Sequence, residues 1–174
     1  TVTTVHAGGG AFTVNDGTTL AVTVAAAGQT LNASALTLGS AAGATNEFNL
    51  DGFGNPTAPV VYATNLTTHG TVTLKVSGGG FTPGHFPLIR YQGAIGGSGY
   101  AFTLGALPQG LGAFLSNAPS AVELVITNVT PLIWTGNMDT NWDVGTTLNW
   151  QFNGAPTNYQ DGVAVLFNDS ASRT

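Results

Sequence analysis

The chain has 174 residues, a formal net charge of −5 and no cysteine; 6% of its residues are charged and 43% are hydrophobic. Three Lys and Arg residues are too few to bind phosphate backbones or anionic lipids, which excludes nucleic acid and the membrane surface as partners. The lack of cysteine excludes a disulfide scaffold, a thiolate metal site and a cysteine nucleophile.

Alternating apolar and polar residues predict a series of short, half-buried strands along the chain. In chain order these strands cover residues 1–5, 11–14, 20–24, 72–76 and 122–126. Turn-forming stretches such as Asn15-Asp16-Gly17 and Ser77-Gly78-Gly79-Gly80 separate strands of this kind. No long segment has the apolar period of about 3.6 residues that marks a helix. The sequence therefore predicts an all-β protein.

A loose repeat runs through the first half of the chain, with strand and turn units recurring at roughly 10 to 15 residues. Three units end in similar triplets, Phe12-Thr13-Val14, Leu36-Thr37-Leu38 and Phe48-Asn49-Leu50. Such a rhythm is typical of a solenoid, because each rung leaves its backbone donors and acceptors to the next rung. We therefore predict a right-handed parallel β-helix or β-solenoid-like module over residues 1–130. A β-sandwich or jelly roll has nearly the same signature and is the alternative.

The composition changes near Pro131, where a segment rich in Trp and Asp begins. We expect this segment, residues 131–174, to pack as part of the same body. Its three tryptophans, Trp134, Trp142 and Trp150, recur every eight residues. Their large aromatic faces make them a candidate sugar-stacking platform, and the alternative is that they fill a β core.

Motifs in the last 90 or so residues, roughly half the chain, occur in a distinctive order. They include Phe86-Pro87-Leu88-Ile89, Trp134-Thr135-Gly136, Asn141-Trp142-Asp143, Tyr159-Gln160-Asp161-Gly162 and Val165-Leu166-Phe167-Asn168-Asp169. Together they resemble the autotransporter-associated β-strand repeat proteins. The resemblance implies a very large secreted or surface-anchored bacterial polypeptide with β-helical stalks, and it brings no catalytic residues with it.

The carboxylates offer one candidate for catalysis. Asp139 with Asp143, or Asp161 with Asp169, can in principle supply the acid and the nucleophile of a glycosidase. Turn-like surroundings favour another role, because an Asp side chain in a turn caps nearby backbone amides. The three histidines lie far apart in the sequence and give no zinc-binding spacing. We therefore predict that the chain is not an enzyme.

A second candidate is a calcium site in the Trp-rich segment. Asn137, Asp139, Asn141 and Asp143 present side-chain oxygens at alternate positions, and oxygen ligands in loops suit calcium. An EF-hand also requires a distal bidentate Glu, and no Glu follows this segment. We therefore predict no cofactor, with calcium as the alternative.

These expectations lead to a structural, non-catalytic extracellular repeat module that forms a stalk, fibre or filament by head-to-tail β association. The alternative is an adhesin or carbohydrate-binding module of the bacterial surface, with surface polysaccharide as partner. The resemblance implies that the chain is one period cut within a unit, so the partner is another copy of the chain. The assembly strand is then Thr1, Val2, Thr3, Thr4 and Val5, and the C-terminal acceptor region is Val165, Leu166 and Phe167.

Overall fold

The computed structural model describes residues 9–172. These residues form strands and turns but no helix, and therefore no helix long enough to span a membrane. The all-β prediction is confirmed. The strands are β1 (Gly10–Val14), β2 (Thr19–Thr23), β3 (Leu31–Leu38), β4 (Thr45–Asn49), β5 (Val61–Thr68), β6 (Val72–Ser77), β7 (Gly84–Tyr91), β8 (Gly96–Gly97), β9 (Phe102–Leu104), β10 (Leu111–Ala118), β11 (Ala121–Val129), β12 (Leu132–Trp134), β13 (Trp150–Phe152), β14 (Ala155–Thr157) and β15 (Val165–Leu166).

Two sheets of parallel strands form the body of the protein. The long sheet contains β1, β3, β5 and β7 side by side, and the short sheet contains β2, β4, β6 and β9. The chain passes from one sheet to the other and back, so β1 with β2, β3 with β4 and β5 with β6 make three successive rungs. The result is a β-solenoid of about 3 turns. The predicted solenoid is confirmed, and the chain does not form the alternative β-sandwich.

The repeated triplets of the sequence mark positions that stack from rung to rung. Phe12 pairs with Leu36, and Val14 pairs with Leu38, so the first two triplets lie directly beside each other in the long sheet. The third triplet lies in the short sheet, where Phe48 stands between the neighbouring rungs' Val22 and Val76. In-register stacking of apolar residues therefore builds the interior of the solenoid.

The core contains the residues that the strand pattern placed on the inner face. Leu38, Leu50, Leu74 and Ile126 are all buried in one large apolar cluster. Full burial of such side chains stabilises the fold by about 1.5 to 3 kcal/mol each. The register of these strands therefore agrees with the phase that the alternation predicted.

The long sheet ends in an antiparallel hairpin rather than in another parallel rung. Strand β11 pairs antiparallel with β7, and β10 pairs antiparallel with β11. Strand β10 is the outer strand on this side of the sheet, and its Phe114 is exposed. The parallel repeat is thus interrupted here by a different topology.

A third sheet, in the order β14-β13-β12-β15, begins at Leu132, next to the composition change at Pro131. It has a small apolar cluster of its own, built around Leu132, Trp134, Trp150 and Val163. This C-terminal sheet packs closely on the solenoid, since a Cβ placed on Gly79 would lie 2.7 Å from the carbonyl oxygen of Gly162. The contact fixes the C-terminal sheet beside the corner that follows β6.

Candidate functional site

Five aromatic side chains cluster on the C-terminal sheet, with Trp150 at the centre. Strand pairing places Trp150 opposite Trp134, and their rings meet edge to face with centroids 5.0 Å apart. Trp142 meets Trp150 at 5.2 Å and Tyr159 at 5.1 Å, again edge to face. Phe167 completes the cluster at 5.6 Å from Trp150. Edge-to-face contacts of this kind hold each ring in a defined orientation.

A cleft of about 340 Å³ opens in front of this cluster. Its lining consists of Trp134, Thr140, Trp142, Phe167, Asn168 and Ala171, none of which carries a charge. Trp142 is 51% exposed and Phe167 is 55% exposed, whereas Trp150 is only 1% exposed. The three tryptophans therefore do not share one open platform. Trp134 and Trp150 fill the core of the sheet, and Trp142 is the tryptophan that is exposed.

The loop that carries Trp142 is held by the buried side chain of Asn149. Its Oδ1 accepts hydrogen bonds from the backbone amides of Met138 and Asp139 at 2.9 and 3.1 Å. Its Nδ2 donates to Asp139 Oδ1 at 2.6 Å and to the carbonyl oxygen of Asn141 at 2.9 Å. All of its hydrogen-bonding groups are thus engaged with the loop, which positions Thr140 and Trp142 beside the cleft.

The predicted calcium ligands lie in the same loop, where protein donors already bind side-chain oxygens of three of them. Asp139 accepts from the amide of Asn141 at 2.9 Å in addition to Asn149, and Asn137 accepts from the hydroxyl of Ser172 at 3.1 Å. Asp143 accepts from the hydroxyl and the amide of Thr147, and these bonds hold the pKa of Asp143 below its usual value. These oxygens close turns. In the described part of the chain, no three acidic or histidine side chains come together to hold a metal ion.

The second carboxylate pair is arranged differently from the sequence expectation. Asp161 lines a cleft of about 360 Å³ together with Asp51, while Asp169 is not part of its lining. Both aspartates precede a glycine, in the corner after β4 and in the turn before β15. The sequence shows both Asp-Gly turns, but only the packing of the C-terminal sheet on the solenoid brings them to one cleft.

Exposed apolar side chains concentrate in the C-terminal segment. Among the described residues, eight large hydrophobic side chains are exposed, and six of them lie in this segment: Met138, Trp142, Val144, Leu148, Leu166 and Phe167. Concentrated apolar exposure on an otherwise polar surface marks an interaction surface. Sequence reasoning placed only Trp142, Leu166 and Phe167 in a site.

Three of the outer strands in residues 9–172 bear on the predicted assembly. Strands β1 and β2 are the first strands of the two parallel ladders, and β15 is the outer strand of the C-terminal sheet. Within residues 9–172, each of them pairs on one side only. The predicted acceptor residues Val165 and Leu166 form β15 and Phe167 directly follows it. The predicted assembly strand, Thr1, Val2, Thr3, Thr4 and Val5, lies outside the described residues.

Comparison of the chain with models of known protein families, with characterised proteins and with solved structures gives no match. The resemblance to autotransporter-associated repeat proteins therefore stays a prediction from the motifs.

Proposed function

We propose that the chain is a structural, non-catalytic extracellular module that extends a stalk, fibre or filament by head-to-tail β association. The observation that carries this proposal is the open end of the solenoid. There, β1 and β2 each present one unpaired edge in the described part of the chain. An unpaired, uncovered edge is a template for another strand.

The composition of these two strands leaves the template unblocked. Their sequences are GAFTV and TLAVT, without the proline or charged residues that proteins use to protect an edge. The low overall charge acts in the same direction, because little repulsion opposes close packing of copies. The same composition, poor in Lys and Glu and rich in Thr, Gly and Asn, supports an extracellular location.

The hydrogen bonds of β2 identify a backbone group that faces outward. The carbonyl oxygen of Thr18 accepts from Thr45, and the amide of Val24 donates to Asn49, so even-numbered residues of β2 face β4. Backbone direction alternates along a strand, which points the amide and carbonyl of Ala21 to the free edge. Proline at position 21 removes that outward donor and keeps the bonds to β4.

The experiment compares the wild-type chain with Ala21→Pro and with Ala21→Val as the matched control. Sedimentation velocity over a concentration series measures association, and electron microscopy measures filament length. We expect filaments or short stacks for the wild type and for Ala21→Val, and a clear loss of both for Ala21→Pro with an unchanged circular dichroism spectrum. A wild-type chain that stays monomeric at every concentration contradicts the proposal.

A further inference from the structure

We propose that the aromatic cleft and the outer edge of β15 form the docking site for residues 1–7 of a second copy of this chain, which add there as a strand. The inference rests on the proposed function, because it identifies the C-terminal partner surface of the same head-to-tail contact. It gives the head-to-tail contact a defined acceptor site, which the free edges of β1 and β2 alone do not identify.

The backbone of β15 presents an unpaired edge in the described part of the chain. The amide of Leu132 donates to the carbonyl oxygen of Ala164 at 2.8 Å, so Ala164 faces β12. Because backbone direction alternates along a strand, the amide and carbonyl of Val165 face the opposite edge. That edge has no β partner within residues 9–172. A strand that adds there satisfies a donor and an acceptor that otherwise depend on water.

Exposed apolar side chains accompany this edge. Leu166 is 43% exposed on β15 itself, and Phe167 and Trp142, both about half exposed, wall the adjoining cleft. A cleft of about 340 Å³ has room for an aliphatic side chain from an added strand. Covering apolar surface of this kind stabilises a contact by roughly 25 cal/mol per Å² buried, before the costs of association.

The lining of the cleft favours an apolar side chain over a sugar. Four of its six residues are apolar, and its polar side chains are Thr140 and Asn168. The Oδ1 atom of Asn168 already accepts hydrogen bonds from the amide and the hydroxyl of Ser170. A sugar ring carries several hydroxyls, and each that loses water without gaining a partner weakens binding. An uncharged, mainly apolar cleft therefore suits a valine side chain of an added β-strand.

Residues 1–7, with the sequence TVTTVHA, match this site in chemistry. Val2 and Val5 are its large apolar side chains, and the threonines between them favour an extended strand. Side chains alternate along a strand, so one of the two valines would face the cleft. The segment contains no proline, Lys, Arg, Asp or Glu, so neither its backbone nor its side chains oppose pairing with an uncharged edge. It precedes β1, the outermost strand of the first rung, which makes the contact head-to-tail and able to propagate.

The test places a lysine at the site and at a matched position outside it. Leu166→Lys adds an edge-protecting charge on β15, and Leu148→Lys adds the same charge at another exposed leucine that neither lines the cleft nor lies in a strand. Sedimentation velocity on the full chain gives the self-association constant of each variant. We expect Leu166→Lys to weaken association about tenfold or more, equivalent to about 1.4 kcal/mol. Leu148→Lys should remain close to wild type.

A second measurement uses a synthetic peptide of residues 1–7 as competitor. We expect the peptide to dissociate wild-type assemblies and to change tryptophan fluorescence, and Leu166→Lys to abolish that fluorescence change. Peptide binding that is sensitive to Leu166→Lys without any filament supports this site and contradicts the proposed function. Association that is lost in Ala21→Pro but kept in Leu166→Lys leaves the proposed function standing and overturns this site.

Two further outcomes also overturn the inference. The first is a fluorescence change with neutral hexasaccharides of glucose or N-acetylglucosamine but none with the peptide, which makes the cleft a sugar site. In the second, the chain stays monomeric and the amide of Val165 is nevertheless protected from hydrogen exchange. Deletion of residues 1–7 then removes that protection. In that case the segment binds within its own chain.

Discussion

The carboxylate of Asp16 accepts hydrogen bonds from the backbone amide and the hydroxyl of Ser40 at 2.7 and 2.6 Å. Asp16 lies in the turn between β1 and β2, and Ser40 lies in the corresponding turn of the next rung. The amides of Ala41, Ala42 and Gly43 donate to the same carboxylate at 3.0 to 3.1 Å. The sequence predicted that a turn Asp caps nearby backbone, and the structure shows that this one caps the neighbouring rung.

Stability should fall in acid partly through Asp16. The hydrogen bonds from Ser40 hold the pKa of Asp16 below its ordinary value of 3.8. A carboxyl group with a lower pKa in the folded state adds stability above the pKa of the unfolded chain, and that stability is lost as the pH falls towards the folded value. We expect Asp16→Asn to be less stable than wild type at neutral pH, and the difference in unfolding free energy to narrow steadily as the pH falls below about 4. Urea unfolding across this range is the measurement.

Ser40→Ala separates the contribution of the hydroxyl from that of the backbone amides. It removes the largest cause of the lowered pKa and leaves the carboxylate in place. As the pH falls, Ser40→Ala should lose less stability than wild type and more than Asp16→Asn. A gap between wild type and Asp16→Asn that stays constant down to pH 2 would show that Asp16 does not contribute through its charge.

The corner after β3 should tolerate no side chain at Gly43. Its φ angle is 100°, and a Cβ there would overlap the carbonyl oxygen of Thr71 in the next rung. Gly17 also has a positive φ, 69°, but a Cβ there meets no atom within 4 Å. We expect Gly17→Ala to cost about 1 to 2 kcal/mol from backbone strain alone. Gly43→Ala should cost about 3 kcal/mol or more.

Chemical denaturation of the two variants measures this difference directly. Equal losses of stability at the two positions would mean that the corner relaxes around an added methyl group. In that case, neighbouring rungs are not in close contact there.

Much of the fold follows from sequence, because alternation is a local signal. The patterns at residues 11–14 and 72–76 correspond to β1 and β6, and the triplets that end in Val14 and Leu38 pair in register. The hairpin of β10 and β11 did not follow, since side chains alternate between the two faces of a strand whether its neighbours are parallel or antiparallel. In the same way, equal spacing did not distinguish Trp150 from Trp142. Pairing of β12 with β13 buries Trp150, while Trp142 lies in the loop between them.

Asn46 interrupts a column of leucines inside the solenoid. It is fully buried on β4, between its register partners Leu20 and Leu74 on the adjacent rungs. Neither its Nδ2 nor its Oδ1 has a hydrogen-bond partner among the described residues. A buried polar group without a partner costs about 1 to 3 kcal/mol. We expect Asn46→Leu to raise the free energy of unfolding by an amount of this order.

Asn32→Leu is the matched control, because Asn32 is exposed on β3. Its effect should stay within about 0.5 kcal/mol. Thermal and urea unfolding of both variants give the comparison. A less stable Asn46→Leu protein would mean that the amide binds a water molecule inside the core, and that the leucine cannot fill the space.

Asn149 should prove essential to the loop that shapes the docking cleft. Replacing it with Asp removes the Nδ2 donor and places a second carboxylate against Asp139, whose oxygen now lies 2.6 Å from that nitrogen. A buried charge without a partner costs about 3 to 5 kcal/mol, so Asn149→Asp should lose that order of stability at pH 7. Asn117→Asp adds the same charge on the exposed side of β10 and should change little.

Acid distinguishes repulsion from the lost donor, because protonation of the new carboxyl group removes the charge but does not restore Nδ2. We therefore expect Asn149→Asp to recover part of its stability, relative to wild type, as the pH falls from about 7 to 4. Urea unfolding and tryptophan fluorescence at both pH values check this. If Asn149→Asp unfolds like Asn117→Asp at both pH values, the side chain of Asn149 does not hold the loop. The loop carries Thr140 and Trp142, which line the cleft. Loosening it should therefore weaken binding of the peptide of residues 1–7 to the cleft and β15 more than it weakens association through the free edge of β2.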